Sequence, residues 1–219
     1  MLPDYLRAAI AATETLIDHR IKAAPVMPLP LLKTLPNVLV LSFAEMASQM
    51  DLDRSSLLKA VDRETHDAMS FTAQVAGRLR YFVVYNQQLP MFLIQRGLAR
   101  ELGHIILGHD GTRPEDVRIA EAQVFAYHLL CPRPLVRAIQ ESGIRLTTEV
   151  LGNATGCYER CLAGMRKTPG VEVPKGFNRE LRDQFKDYVE NFLDYQAIVS
   201  ASDESRLADF GTYMDGYEE

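Results

Sequence analysis

Apolar residues return every three or four positions over residues 3–21, where Tyr5, Leu6, Ala9, Ile10, Leu16, Ile17 and Ile21 make one stripe. That spacing predicts an amphipathic helix. A proline-rich connector with Pro25, Pro28, Pro30 and Pro36 follows, and the apolar run Asn37-Val-Leu-Val-Leu-Ser42 reads as a buried strand. Residues 43–60 read as two short helices around Met50-Asp51-Leu52-Asp53. Strand character returns over roughly 70–85, ending in Arg78-Leu-Arg-Tyr-Phe-Val-Val-Tyr-Asn86. Pro90 opens a helix of about 92–108, ended by Gly108, His109, Asp110 and Gly111. A helix of about 115–130 is closed by Pro132. A short one starts at Pro134 and stops at Gly143, and residues 147–166 read as two short helices around Gly152-Asn153. The clearest helix spans 178–199, with Leu181, Phe185, Tyr188, Val189, Phe192, Leu193 and Val199 on one stripe.

Composition narrows the class without naming a function. With 219 residues, 47% apolar and 24% charged, the chain reads as an ordinary globular protein with a sizeable core. No apolar run approaches the length of about 18 residues that a membrane span needs. The opening Met1-Leu-Pro-Asp-Tyr-Leu-Arg lacks the basic and apolar regions of a signal peptide. Cys131, Cys157 and Cys161 are odd in number and form no disulfide framework, so a reducing cytoplasmic location is expected. The net charge of −5 argues against non-specific nucleic-acid binding. Six acidic residues against Arg206 lie between Asp203 and Glu219, a tail expected to fray or wrap loosely.

One stretch bears chemistry. Arg100-Glu-Leu-Gly-His104 reads as the zinc-protease helix H-E-x-x-H with arginine in place of the first histidine. In that motif two histidines one turn apart face one ion, and the glutamate is general base on the metal-bound water. Glu101 fills the base position and His104 the second ligand position. Arg100 stays protonated and offers no lone pair to a metal. Glu101 and His104 sit among apolar residues, where they need partners or a cleft. Downstream comes Glu121-Ala-Gln-Val-Phe-Ala-Tyr-His-Leu-Leu-Cys-Pro132.

Together these two segments resemble the ImmA/IrrE-type metallo-endopeptidases, whose hallmark is an H-E-L-G-H helix followed by a segment like E-A-N-x-F-A-x-x-L-L-M-P. The resemblance covers about residues 25–165 and is specific over 78–132. It implies an α+β, zincin-like fold, with a small mixed or antiparallel sheet packed on the H-E-x-x-H-type helix and a mostly helical C-terminal part. The chain would divide into an N-terminal helix (1–24), a peptidase domain (25–145), a helical region (146–200) and an acidic tail (201–219). Carried over by position, Glu101 would be the base, His104 the second zinc ligand and Glu121 the third, with Arg100 where the first ligand belongs. Tyr81-Phe-Val-Val-Tyr-Asn86 looks like the family's edge strand, which lines the cleft and pairs with substrate peptide.

Arg100 is expected to replace the ion's charge by pairing with Glu121 or Glu101, two carboxylates that would otherwise resist joint ionisation. No cofactor is then expected. His109, beyond the helix end, is the residue that a loop movement could bring in as a substitute ligand. His128 lies about 10 Å along the helix from Glu121, too far to share an ion. Cys131 reads as core, Cys157 and Cys161 as small core residues, and His19 and His66 as surface or helix-end positions. Residues 43–60 have helix-turn-helix spacing, but Arg54 and Lys59 among Asp51, Asp53 and Asp62 make a poor DNA reader. The basic group Arg145, Arg160, Arg166 and Lys167 around the 147–166 helices is likewise weak. The expectation is a regulatory module that binds a peptide or a repressor of the helix-turn-helix type along the 79–85 strand, with little or no protease activity. The alternative is an active zinc endopeptidase with unorthodox ligands that cleaves such a repressor.

Overall fold

A computed structural model describes residues 2–50, 67–157 and 171–214 of the chain. The elements run α1 (Tyr5–Asp18), α2 (Pro28–Thr34), β1 (Val38–Ser42), α3 (Phe43–Met50), β2 (Ala68–Val75), β3 (Arg78–Tyr85), α4 (Met91–Ile106), α5 (Glu115–Leu130), α6 (Arg133–Glu141), α7 (Thr148–Thr155), α8 (Lys175–Gln184) and α9 (Lys186–Met214). The class is α+β, mostly helical, as expected. The second halves of the helix pairs foreseen at 43–60 and 147–166 lie outside the described residues, as does Cys161.

The proline-rich connector holds a helix that the sequence reading passed over. Pro28 and Pro30 stand in its first turn, where a missing amide hydrogen costs nothing. The expected helix at 178–199 is two helices broken at Phe185, and its backbone continues to Met214, through most of the segment expected to fray.

The sheet has the order β1-β3-β2, with β1 parallel and β2 antiparallel to β3. The expectation of an edge strand at 79–85 is therefore corrected. That strand, β3, is central, and among the described residues the sheet's edges are β1 and β2, of which β2 borders the cleft described below. Two-residue alternation divides the sheet's faces. Val38, Val40, Val83 and Tyr85 face the main core, while Leu41, Val84, Met69 and Phe71 close on Phe43 and Met46 of α3. Phe71 and Phe82, directly opposite each other, stack at 5.2 Å. A capping box starts α3: the Ser42 N–H donates to Glu45, and the Glu45 N–H donates to the Ser42 hydroxyl at 3.2 Å.

Helix α4 crosses the sheet, and α5 lies against α4 and α1. Ala8, Ala9, Ala12 and Leu16 of α1 are wholly buried in the same core as Leu98, Leu102, Phe125 and Leu129, so the N-terminal helix is part of this core. Gly103 sets how closely α4 meets α5. A Cβ there would stand 3.0 to 3.1 Å from the Phe125 side chain. Among the described residues no helix is long and apolar enough to cross a membrane.

Gly103→Ala is expected to destabilise the fold by about 1–3 kcal/mol, because overpacking against Phe125 outweighs the roughly 1 kcal/mol that alanine gains in an exposed helix. Urea denaturation of the two proteins measures the difference, and an alanine variant as stable as the parent would contradict this packing.

Candidate active site

A cavity of about 550 Å³ lies between β2 and the helices α4 and α5. Its walls include Ser70, Tyr81, Arg100, Glu101, His104, Ile105, His109 and Arg118. Glu101 and His104 share the cleft because three residues is nearly one helical turn. Glu121 comes from α5, and the contact between α4 and α5 brings it to the end of α4.

On the β2 side, the Arg100 guanidinium donates to the buried Asp67 carboxylate at 3.1 Å, to the Ala68 carbonyl at 3.1 Å and to Glu101 at 3.2 Å. Arg96, one turn earlier, takes the other Asp67 oxygen at 3.0 Å. The expected pairing of Arg100 with Glu101 is present. A pairing with Glu121 is not, because Asp67, 33 residues away in sequence, claims the guanidinium first. The Ser70 hydroxyl donates to Glu101 at 2.6 Å. Burial nevertheless lifts the Glu101 pKa above the usual carboxylate range, against the pull of Arg100 and Ser70.

On the α5 side, Glu121 is fully buried and saturated. Its Oε1 accepts the Asp4 N–H at 2.7 Å and Arg113 at 3.0 Å; its Oε2 accepts Arg113 at 2.8 Å and faces His109 Nε2 at 2.9 Å. Burial alone would raise its pKa, but these donors outweigh it and hold the carboxyl below its ordinary value.

His109 arrives there by a helix-ending motif. The His109 N–H donates to the His104 carbonyl and the Gly108 N–H to the Ile105 carbonyl, the paired bonds of a Schellman cap with Gly108 at φ +63°. The cap folds residue 109 back over the last turn. Its ring Nδ1 meets His104 Nδ1 at 2.9 Å while Nε2 meets Glu121. With Glu121 ionised and both rings neutral, one proton arrangement satisfies both contacts. His109 donates from Nε2 to Glu121 and accepts at Nδ1 from His104, leaving the His104 Nε2 lone pair unprotonated. Burial, with Arg100 and Arg118 nearby, holds the His104 pKa down at about 3.

Zinc needs three or four lone pairs aimed at one point about 2 Å from each donor. The Glu121 oxygens are taken by four hydrogen bonds and Arg100 offers no lone pair, so of the three ligand positions only His104, through Nε2, has a lone pair to give. Among the described residues no three His, Cys, Asp or Glu side chains come together as an ion would require. This donor arrangement does not fit zinc.

The sequence-predicted residues Arg100, Glu101, His104 and Glu121 thus surround one end of the cleft, but in two clusters. Arg100 and Glu101 belong with Asp67 and Ser70, and His104 with His109, Glu121 and Arg113. His128 is buried outside this cleft, as its distance along α5 required, and Cys131 and Cys157 are buried core residues. The sequence reading missed Asp67, Ser70, Arg113 and the Asp4 amide. The one available signal was the Arg96–Arg100 pair at one-turn spacing, two cations on a buried helix that call for an anion.

A family model described as the IrrE N-terminal-like domain matches residues 56–154. No curated protein and no solved structure matches the chain.

Acid stability gives a check away from the cleft. Burial first, and then Arg133, depress the His128 pKa from 6.5 to about 4. The folded state thus keeps this ring neutral while the unfolded chain protonates it. Its stabilising contribution is complete above pH 6.5 and is lost as pH falls toward 4, about 2 kcal/mol between pH 7 and pH 5. Denaturation across that range should show the loss, and His128→Leu should flatten it. An unchanged slope in the variant would contradict a neutral buried ring.

Proposed function

On the premise that the chain belongs, through residues 56–154, to the IrrE N-terminal-like family, we propose that its zinc centre is degenerate. On this reading it is a metallopeptidase-fold protein that works in the cytoplasm as a regulatory, peptide-binding module, with little or no protease activity. The observation that carries this reading is the His109 imidazole standing between His104 and Glu121. Arg113 supplies there the positive charge that a buried carboxylate needs. The general base is compromised as well, since Glu101 is tied to Arg100 and Ser70 and pushed toward its neutral form.

What remains usable is the cleft and its free strand edge. Among the described residues no strand pairs with the outer side of β2. The Asn86 N–H bonds to the Asp67 carbonyl, and in an antiparallel pair such positions alternate. Ser70 and Thr72 therefore turn their backbone groups outward, as the Ala68 carbonyl does toward Arg100. An extended peptide adds to β2 there by main-chain hydrogen bonds. A repressor of the helix-turn-helix type is the partner that the family resemblance suggests. The second reading, an endopeptidase cleaving such a repressor with His109 as unorthodox ligand, draws on the closeness of His109 to His104. It requires both His109 and Arg113 to release Glu121.

Isothermal calorimetry is expected to show no tight one-to-one zinc binding by the native chain, and only weak binding by Arg100→His, in which Glu121 keeps its present partners. Tight stoichiometric zinc in the native protein would overturn the degenerate reading. Thr72→Pro removes an outward amide without touching the β3 ladder. It is expected to weaken capture of extended peptides roughly five- to tenfold at nearly unchanged melting temperature, and equal capture would count against strand addition at β2.

A further inference from the structure

Among the described residues, one cation of the cleft has nothing to hold. Arg118, on α5, lines the cavity together with His104, Asp110, Glu115 and Ile119. Its Nε is shielded from water, and among the described residues it meets no acceptor and no ion pair includes Arg118. Its neighbours differ: Arg7 donates to the Leu107 carbonyl, Arg100 to Asp67, and Arg113 to Glu121. Of the two acids that line the cavity with it, Asp110 accepts the Thr112 N–H and hydroxyl through one oxygen, and among the described residues no ion pair joins either Asp110 or Glu115 to Arg118. The charge of Arg118 still reaches into the cleft, where it disfavours protonation of both His104 and Asp110. A shielded guanidinium N–H without an acceptor is a costly and uncommon state in a folded protein. It ends when an acceptor arrives from outside.

We infer that Arg118 is a carboxylate-binding site that anchors the peptide lying along β2, through either an acidic side chain or the peptide's C-terminal carboxylate. The inference rests on the peptide-groove reading above. A carboxylate fits because its two oxygens take two guanidinium N–H groups at once, and such charge-assisted pairs are the stronger hydrogen bonds. Arg118 sits across the cleft from β2, so it reads what faces α5 and leaves the strand's own hydrogen bonds to the peptide backbone. Alternate residues of an added strand point the same way. One carboxylate meeting Arg118 thus leaves its apolar neighbours beside Ile105 and Ile119, which line the same cavity.

Two measurements separate this inference from the reading beneath it. In the isotope-labelled full chain, sodium acetate titrated against sodium chloride at constant ionic strength is expected to shift the Arg118 Nε–H resonance saturably, that resonance being assigned by its absence in Arg118→Lys. A resonance that does not move overturns the carboxylate site. Three pools of extended decapeptides are then captured on the native protein and on Arg118→Gln: acidic with an amidated end, uncharged with a free carboxylate, and uncharged with an amidated end. One of the two carboxylate-bearing pools should be retained, and about ten- to a hundredfold less well by Arg118→Gln. The retained pool identifies the carboxylate's source. Equal retention of every pool by both proteins overturns the role of Arg118 and leaves strand addition standing. An acetate-induced shift with no capture of any pool supports the carboxylate site and overturns the peptide groove.

Discussion

A carboxylate sealed from water inside a protein must be matched, because an unmatched buried charge costs several kcal/mol. Glu121 is such a group, and much of the cleft is organised around satisfying it. Arg113 grips both of its oxygens from the loop before α5, His109 reaches it from the cap of α4, and the Asp4 amide reaches it from the start of α1. Three separate parts of the chain thus converge on one side chain. Arg7 ties the same corner together by donating to the Leu107 carbonyl at 2.7 Å, at the negative end of α4.

The opposite wall repeats this logic. There the buried anion is Asp67, and its cations are Arg96 and Arg100 from successive turns of α4. Arg100 therefore belongs to the attachment of helix to sheet as much as to the cleft. His104 joins the Glu121 cluster through His109 and still feels the charge of Arg100. Its neutral ring suits a place where cations already crowd on one side and a satisfied carboxylate lies on the other.

Helical spacing made α4 and α5 legible in advance, and it was the family resemblance that set Glu121 beside the helix carrying Arg100, Glu101 and His104. Spacing carries no strand order, which is why 79–85 read as an edge: an apolar run looks alike at a sheet's border and at its centre, and only pairing distinguishes them. Nor did spacing reveal who holds whom. A partner of Arg100 stands just before β2, 33 residues earlier, and the partners of Glu121 include a loop arginine and a main-chain amide. His109 was visible as a candidate, but its route was not. A glycine after a helix signals its end; that the ending would fold the next ring onto His104 depends on the cap's bond pattern. Helix α2 went unread because prolines break a helix's middle yet suit its first turn.

The bond from the Asp4 amide to Glu121 has a quieter implication. It is made by the main chain, so it survives nearly any side chain at position 4, and only proline, lacking the hydrogen, would abolish it. The Asp4 carboxylate has a separate task, since it caps α1 by accepting the Arg7 N–H, and a change of identity there would lose that cap while the contribution to the buried acid persists. Ranking residues by how little they vary would credit such a position to its cap, and the bond to the buried acid would register only as a missing letter, proline.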